Sequence, residues 1–281
     1  MSGKFLGYQK KKDYLVCVDS DGCAMDTMDI KHFQCFGPCM VKQWKLEKWQ
    51  EAILKRWNEI NLYTMTRGIN RFKGLAFALQ EIDKQYCRIE DLDTLVDWVE
   101  HSPELSNDAL EKAIGQNEQS VSLKGALSWS KAVNAKITEL PDEVKKPYGY
   151  VKEALQYAHK YADVAIVSSA NKGAVLEEWK RCGLFEHTDI VLAQDAGTKA
   201  FCISELLKYE YDPKHVLMCG DAPGDRKAAE TNGVYFYPIL VRHEAESWKE
   251  FMEEGLRHLL DGNYGEGYQK RKIQEFLDNL K

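Results

Sequence analysis

Residues 14–27, YLVCVDSDGCAMDT, run an apolar stretch rich in β-branched and aromatic side chains straight into three aspartates, Asp19, Asp21 and Asp26, with no basic residue among them. A strand built for burial that ends in carboxylates needs positive charge from elsewhere. Polar groups recur at the ends of two later apolar runs. VAIVSS stops at Ser168 and Ser169 with Asn171 close behind, and HVLMCGD stops at Gly220 and Asp221 with Asp225 four residues on. Lys199 opens the segment between them, KAFCISELLKY. Carboxylates crowded in a low-dielectric cleft raise one another's pKa unless they share a cation. Magnesium suits them, being a hard ion that takes oxygen ligands, keeps several waters, and uses one or two protein carboxylates together with phosphate oxygens. The segment after Ser169 has the apolar stripe Val175, Leu176, Trp179 and Cys182 of a helix, whose N-terminal N–H groups suit an anion such as phosphate. The expected site is therefore a metal centre in which one aspartate can act as a nucleophile.

The elements that position these residues follow from hydrophobic patterning. From about residue 147 onward, apolar strands alternate with amphipathic helices: VAIVSS, AVLEEWKRCGL, DIVLAQD, KAFCISELLKY, HVLMCGD, DRKAAETNG and VYFYPIL. Such alternation builds a parallel sheet. The runs at 14–18, 164–168 and 215–219 lack polar alternation, as strands covered by helices on both faces do, so the first belongs with the later ones. Between them, KWQEAILKRWNEI, FKGLAFALQEID, LDTLVDWVEH and SVSLKGALSWSKAVNAKI show apolar residues three and four apart and nothing strand-like. The expected fold class is α/β: a Rossmann-like parallel sheet core of residues 1–27 and 147–281, with an inserted all-helical cap domain at 28–146. Residues 244–281 read as two further helices broken between Gly262 and Gly267.

Composition excludes several functional classes. The chain has 281 residues, 44% hydrophobic and 29% charged, and no apolar run approaches the ~20 residues that cross a bilayer. MSGKFLGYQKKKD contains no stretch resembling a signal peptide, so a cytoplasmic address and no membrane partner are expected. Net charge is −6, and the KKK run at 10–12 reads as a solvated strand flank, which argues against nucleic acid as a partner. Eight cysteines are too sparse for a disulfide scaffold. Cys35 and Cys39 in FQCFGPCM lack the second pair or histidines of a zinc site and are expected to pack between helices.

The polar clusters together carry a resemblance. DSDGCAMDT matches the Asp-x-Asp-Gly-x-x-x-Asp-Thr/Ser motif of the haloacid dehalogenase superfamily, VAIVSS its strand ending in Ser/Thr, Lys199 its lone lysine and GDAPGD its Gly-Asp-x-x-x-Asp motif, all in order. With the helical insertion after the first motif, the chain resembles the capped subfamily that includes phosphoglycolate phosphatase and β-phosphoglucomutase. The resemblance implies that Asp19 attacks phosphorus to form an aspartyl phosphate, that Asp21 serves as acid and then base, and that Ser168 and Lys199 hold the phosphoryl oxygens. It implies Mg2+ as cofactor, held by Asp19, the backbone carbonyl of Asp21, and Asp221, with Asp225 either a ligand through water or an orienting partner of Lys199. The expected activity is phosphatase action on a small phosphorylated metabolite. A phosphomutase or phosphonate hydrolase using the same site, and a non-enzymatic phosphate-binding scaffold, are the alternatives.

Ser169 and Asn171 are expected to contribute to substrate binding near the phosphate. In the insertion, TRGINRFKGL at 66–75 is similar to the Lys-Gly-Val-Ser-Arg cap loop of β-phosphoglucomutase, with Arg71 at its arginine and Arg67 in place of its lysine. That resemblance makes Arg67 and Arg71 a cationic pair for a second phosphate or a sugar hydroxyl. An exposed linker between helices is the alternative. Trp44, Trp49, Trp57 and Tyr63 are expected to pack helices rather than stack on substrate.

Overall fold

The computed structural model of the chain describes residues 5 and 7–281. Its strands are β1 (Tyr14–Val18), β2 (Met25–Asp26), β3 (Lys146–Pro147), β4 (Ala162–Val167), β5 (Ile190–Leu192), β6 (Val216–Gly220) and β7 (Tyr235–Pro238). Five of them form one sheet in the order β5-β4-β1-β6-β7, with every neighbouring pair parallel. All of β4 and β6, and all of β1 but Tyr14, are buried, as their continuous apolar runs predict. Helices Val151–Tyr161, Lys172–Arg181, Lys199–Leu207 and Pro223–Asn232 alternate with these strands. The order places the chain reversal around central β1, so ligands are expected beyond the carboxyl ends of β4, β1 and β6.

Two details of this unit escaped the patterning. Short strands β2 and β3 pair antiparallel, Met25 opposite Pro147 and Asp26 opposite Lys146, where the chain leaves and re-enters the α/β unit. The basic run at 10–12 is also more than a solvated flank. The backbone N–H groups of Lys11 and Lys12 donate to Asp163 Oδ2, and Lys11 Nζ donates to Asp189 Oδ1 at 2.8 Å. The N-terminal segment is thereby fastened to a fully buried carboxylate at the start of β4.

The chain divides into two compact units, one formed by residues up to Met28 and from Asp142 on, the other by Asp29–Pro141. The second unit is helical, with helices Gln50–Asn58, Arg71–Gln85, Leu92–His101, Asn107–Gln116 and Val121–Thr138 around its own apolar core. Phe72, Trp57 and Trp129 meet edge to face in that core, a favourable aromatic geometry. Cys35 and Cys39 lie buried in it, and all eight cysteines are free thiols. Among the described residues no helix is long and apolar enough to cross a membrane.

Candidate active site

The ends of the three central strands are level. Val18 pairs with both Ile166 of β4 and Cys219 of β6, so Asp19 leaves β1 where Val167 and Gly220 close their strands. Ser168 and Asp221 follow one residue beyond. The Asp19 N–H extends the ladder to the Cys219 carbonyl at 3.0 Å, and the Ser168 N–H does so to the Leu192 carbonyl at 2.9 Å. Strand register alone thus brings three polar residues from distant parts of the sequence to one edge.

Lys199 and Asp225 arrive on helices. Gly197 adopts φ +116°, a conformation that side chains disfavour, and Thr198 then caps the helix by accepting from the Phe201 N–H at 3.2 Å. This fixes Lys199 in the first turn, where the helix dipole disfavours a cation. Two carboxylates offset that cost: Lys199 Nζ lies 2.8 Å from Asp19 Oδ2 and 2.5 Å from Asp225 Oδ1. Asp225, in the first turn of Pro223–Asn232 and 0% exposed, also accepts from the Ala222 N–H at 3.0 Å. Its carboxylate lies against Gly220, where a Cβ would stand 2.3 Å from Asp225 Cγ. Glycine is required there by close approach, a role the sequence pattern shows only as the letter before Asp221.

Asp19, Asp221 and Asp225 present carboxylate oxygens within 4.8 Å of one another. Burial raises the Asp19 pKa to about 6; Lys199 opposes the rise and Asp225 adds to it. Asp225 is raised for the same reasons, burial first, Lys199 lowering and Asp221 raising. Burial works against the charge on Lys199, but Asp19 and Asp225 overcome it and hold the ammonium well above the ordinary lysine value. Three carboxylates facing one ammonium leave two negative charges uncompensated, the charge of one divalent cation. The oxygen-only donor set suits a hard ion such as Mg2+.

Asp21 stands apart from the three-carboxylate cluster. It is partly exposed, and its Oδ1 accepts from the Thr27 hydroxyl at 2.7 Å. Gly22, with φ +81°, turns the chain between them. Thr27, quoted within a motif but given no role from sequence, is the residue whose hydroxyl binds Asp21. Asp26 is exposed on β2 and lies outside the cluster.

The remaining expected residues divide. Ser168 is buried and its Oγ accepts from the Ala170 N–H at 3.2 Å, while Ser169 is exposed. Asn171 is the N-cap of Lys172–Arg181, with Oδ1 accepting from Gly173 and Ala174 N–H groups at 2.9 and 3.3 Å, so that oxygen serves the helix. In the helical unit, Arg67 is 2% exposed and donates to the Leu62 carbonyl at 2.7 Å. Arg71 donates to Ser130 Oγ at 3.0 Å and Asn134 Oδ1 at 2.7 Å, and lies 5.1 Å from the centre of the Phe36 ring. Burial lowers its pKa to about 10. Both guanidinium groups thus have structural partners within their own unit, which their positions in a Gly-containing linker did not reveal.

The family model described as haloacid dehalogenase-like hydrolase matches residues 93–239, a span holding Ser168, Lys199, Asp221 and Asp225. No curated protein sequence matches the chain. Among solved structures, a candidate phosphoglycolate phosphatase from Lactobacillus delbrueckii subsp. bulgaricus is similar over 86% of this chain and 99% of its own, with 11% identity and a TM-score of 0.54. A candidate β-phosphoglucomutase from Thermotoga maritima is similar over 87% and 99%, with 15% identity and a TM-score of 0.51. At such identities the likeness is one of fold.

Proposed function

Because the chain belongs to the haloacid dehalogenase-like hydrolase family, and is therefore an enzyme, we propose that it is a magnesium-dependent phosphatase acting on a small phosphorylated metabolite. The observation that carries this reading is the buried Asp19, Asp221 and Asp225 with the half-buried Lys199 and their unbalanced charge of two, set beside a partly exposed Asp21. Asp19, Asp221 and the main-chain carbonyl of Asp21 would hold Mg2+. When bound, the ion supplies positive charge that offsets the phosphoryl oxygens. Asp19 attacks phosphorus, dividing one displacement into two through an aspartyl phosphate. Lys199, held by Asp225, neutralises charge on the transferring group, and the Ser168 hydroxyl donates to one of its oxygens.

Asp21 distinguishes this chemistry from dehalogenation. A halide leaves without a proton, whereas an alkoxide is a poor leaving group that needs one. Asp21, steadied by Thr27, protonates the leaving oxygen and then takes a proton from the water that hydrolyses the aspartyl phosphate. The test is a panel of phosphorylated metabolites plus p-nitrophenyl phosphate and 2-chloropropionate, assayed with Mg2+ and with excess EDTA. Phosphate release with Mg2+, none with EDTA, and no chloride release are expected. Undiminished turnover in EDTA, or halide release, would end this reading.

A further inference from the structure

Two fully buried tryptophans aim their only polar atoms at one loop. Trp179, on helix Lys172–Arg181, donates its indole N–H to Ser20 Oγ at 2.9 Å; Trp248, on helix Glu244–Glu250, donates to the Cys23 carbonyl at 2.9 Å. Both rings are 0% exposed. Their partners lie in the loop that carries Asp19 and Asp21. The Ser20 carbonyl accepts from the N–H groups of Cys23, Ala24 and Met25 at 3.3, 2.9 and 2.8 Å, closing the loop on itself, and Cys23 Sγ lies 3.5 Å from the Cys219 carbonyl of β6. From outside the loop, the Asp19 N–H bonds the Cys219 carbonyl, the Tyr148 N–H bonds the Ala24 carbonyl at 3.1 Å, and the two indoles add the side-chain contacts.

We infer that Trp179 and Trp248 are positioning residues that clamp the Asp19–Asp21 loop from two helices and set the placement of the nucleophile and of the acid/base carboxylate. Core packing alone explains two buried aromatic rings but not why both N–H groups end on residues 20 and 23. Phenylalanine is the aromatic replacement that removes the N–H, and it also gives up the volume of the pyrrole ring, a loss that the Trp57→Phe control shares. The indole is the side chain that fills a core and also holds a backbone in register. Misplacement of reacting groups by a fraction of an ångström is costly to catalysis, so the clamp acts on rate and on metal affinity rather than on substrate recognition. This inference rests on the phosphatase reading for its kinetic consequence and on the carboxylate cluster alone for its metal consequence.

The experiment uses the full chain carrying Trp179→Phe, Trp248→Phe or Ser20→Ala, with Trp57→Phe as control. Trp57 also loses a buried indole hydrogen bond, to His32 Nδ1 at 3.0 Å, but in the helical unit. Mg2+ affinity is measured by titration calorimetry with the metal alone, and kcat and KM with p-nitrophenyl phosphate well below the melting temperature. Trp179→Phe and Trp248→Phe are each expected to weaken Mg2+ binding and lower kcat by about three- to tenfold, the loss of one buried hydrogen bond, with KM unchanged. Trp57→Phe should lower the melting temperature while leaving Mg2+ affinity and kcat as they were. Combining Ser20→Ala with Trp179→Phe should be no worse than the worse single change, because both remove one bond. Ser20→Ala also covers the case in which Trp179→Phe fails to fold. Wild-type Mg2+ affinity and kcat in both phenylalanine variants would overturn the clamp. A wild-type protein that binds Mg2+ but hydrolyses nothing would sink the phosphatase reading and leave the clamp to be judged on Mg2+ affinity, while one that binds no Mg2+ would end both.

Discussion

Replacing Asp19 with asparagine should stabilise the metal-free protein in a way that depends on pH. Folding raises the Asp19 pKa from the ordinary 3.8 to about 6. The folded state therefore binds the extra proton, and the carboxyl's contribution is fully present below pH ~4 and lost as pH rises through about 6. A shift of about two units corresponds to ~3 kcal/mol. Below pH ~4 the protonated aspartic acid and the amide are near equivalents, so variant and wild type should melt together. Above pH ~6 the wild type carries a buried charge that the variant lacks, and the variant should be more stable by ~3 kcal/mol, or roughly 6–12 °C in a protein of this size. Adding Mg2+ at a hundred times its Kd should then raise the wild type by ~2.7 kcal/mol and leave Asp19→Asn almost unmoved. Thermal unfolding in EDTA from pH 4 to 8, followed by calorimetry, provides the comparison, repeated with Mg2+ at pH 7.5. A stability gap that stays constant with pH, or an equal response of both proteins to Mg2+, would refute the placement of Asp19 in a cation-deficient buried cluster.

Asp21→Asn should slow hydrolysis of alkyl phosphates by roughly 10²- to 10⁴-fold while affecting the first step on p-nitrophenyl phosphate less, since that leaving group hardly needs a proton; equal losses in burst kinetics would remove Asp21 from the acid role. Gly220→Ala should disable the site, because its Cβ would press on Asp225 at 2.3 Å and displace the carboxylate that holds Lys199; wild-type kcat in a folded variant would contradict that packing. Arg71→Ala should lower the melting temperature of the helical unit by removing the bonds to Ser130 and Asn134, a loss on the order of 1–3 kcal/mol, with kinetics on p-nitrophenyl phosphate unchanged. An unchanged melting temperature with a raised KM for a doubly phosphorylated metabolite would instead mark Arg71 as a substrate ligand.

The parallel sheet was legible because strands buried on both faces must be apolar throughout, and runs such as VCV, AIV and VLMC have no other reason to lack alternation. Their terminators Asp19 and Asp221 were legible for the complementary reason that a buried strand can end in carboxylates only where something compensates them, and Ser168 as the polar residue that closes a third such run. The clamp tryptophans were not legible. Trp179 belongs to an ordinary apolar stripe, and nothing in its spacing tells that its N–H reaches a serine 159 positions away. Asn171 and Arg67 show the limit of residue chemistry: an amide or guanidinium near a glycine or a strand end suits a ligand and equally a helix N-cap or a main-chain carbonyl, and only distances show that Asn171 Oδ1 meets Gly173 and Ala174 and that Arg67 meets Leu62.

The sequence by itself determined the layered α/β architecture, the helical insertion and the polar residues that end the buried strands, since hydrophobic period and residue chemistry are local properties. Tertiary structure alone decided which carboxylates share one charge field, that Asp225 grips Lys199, that Asp21 stands apart against Thr27, and which polar groups the scaffold keeps for itself. Those outcomes depend on strand register and helix placement, where a shift of one residue turns a side chain to the opposite face of the sheet. No local pattern encodes them.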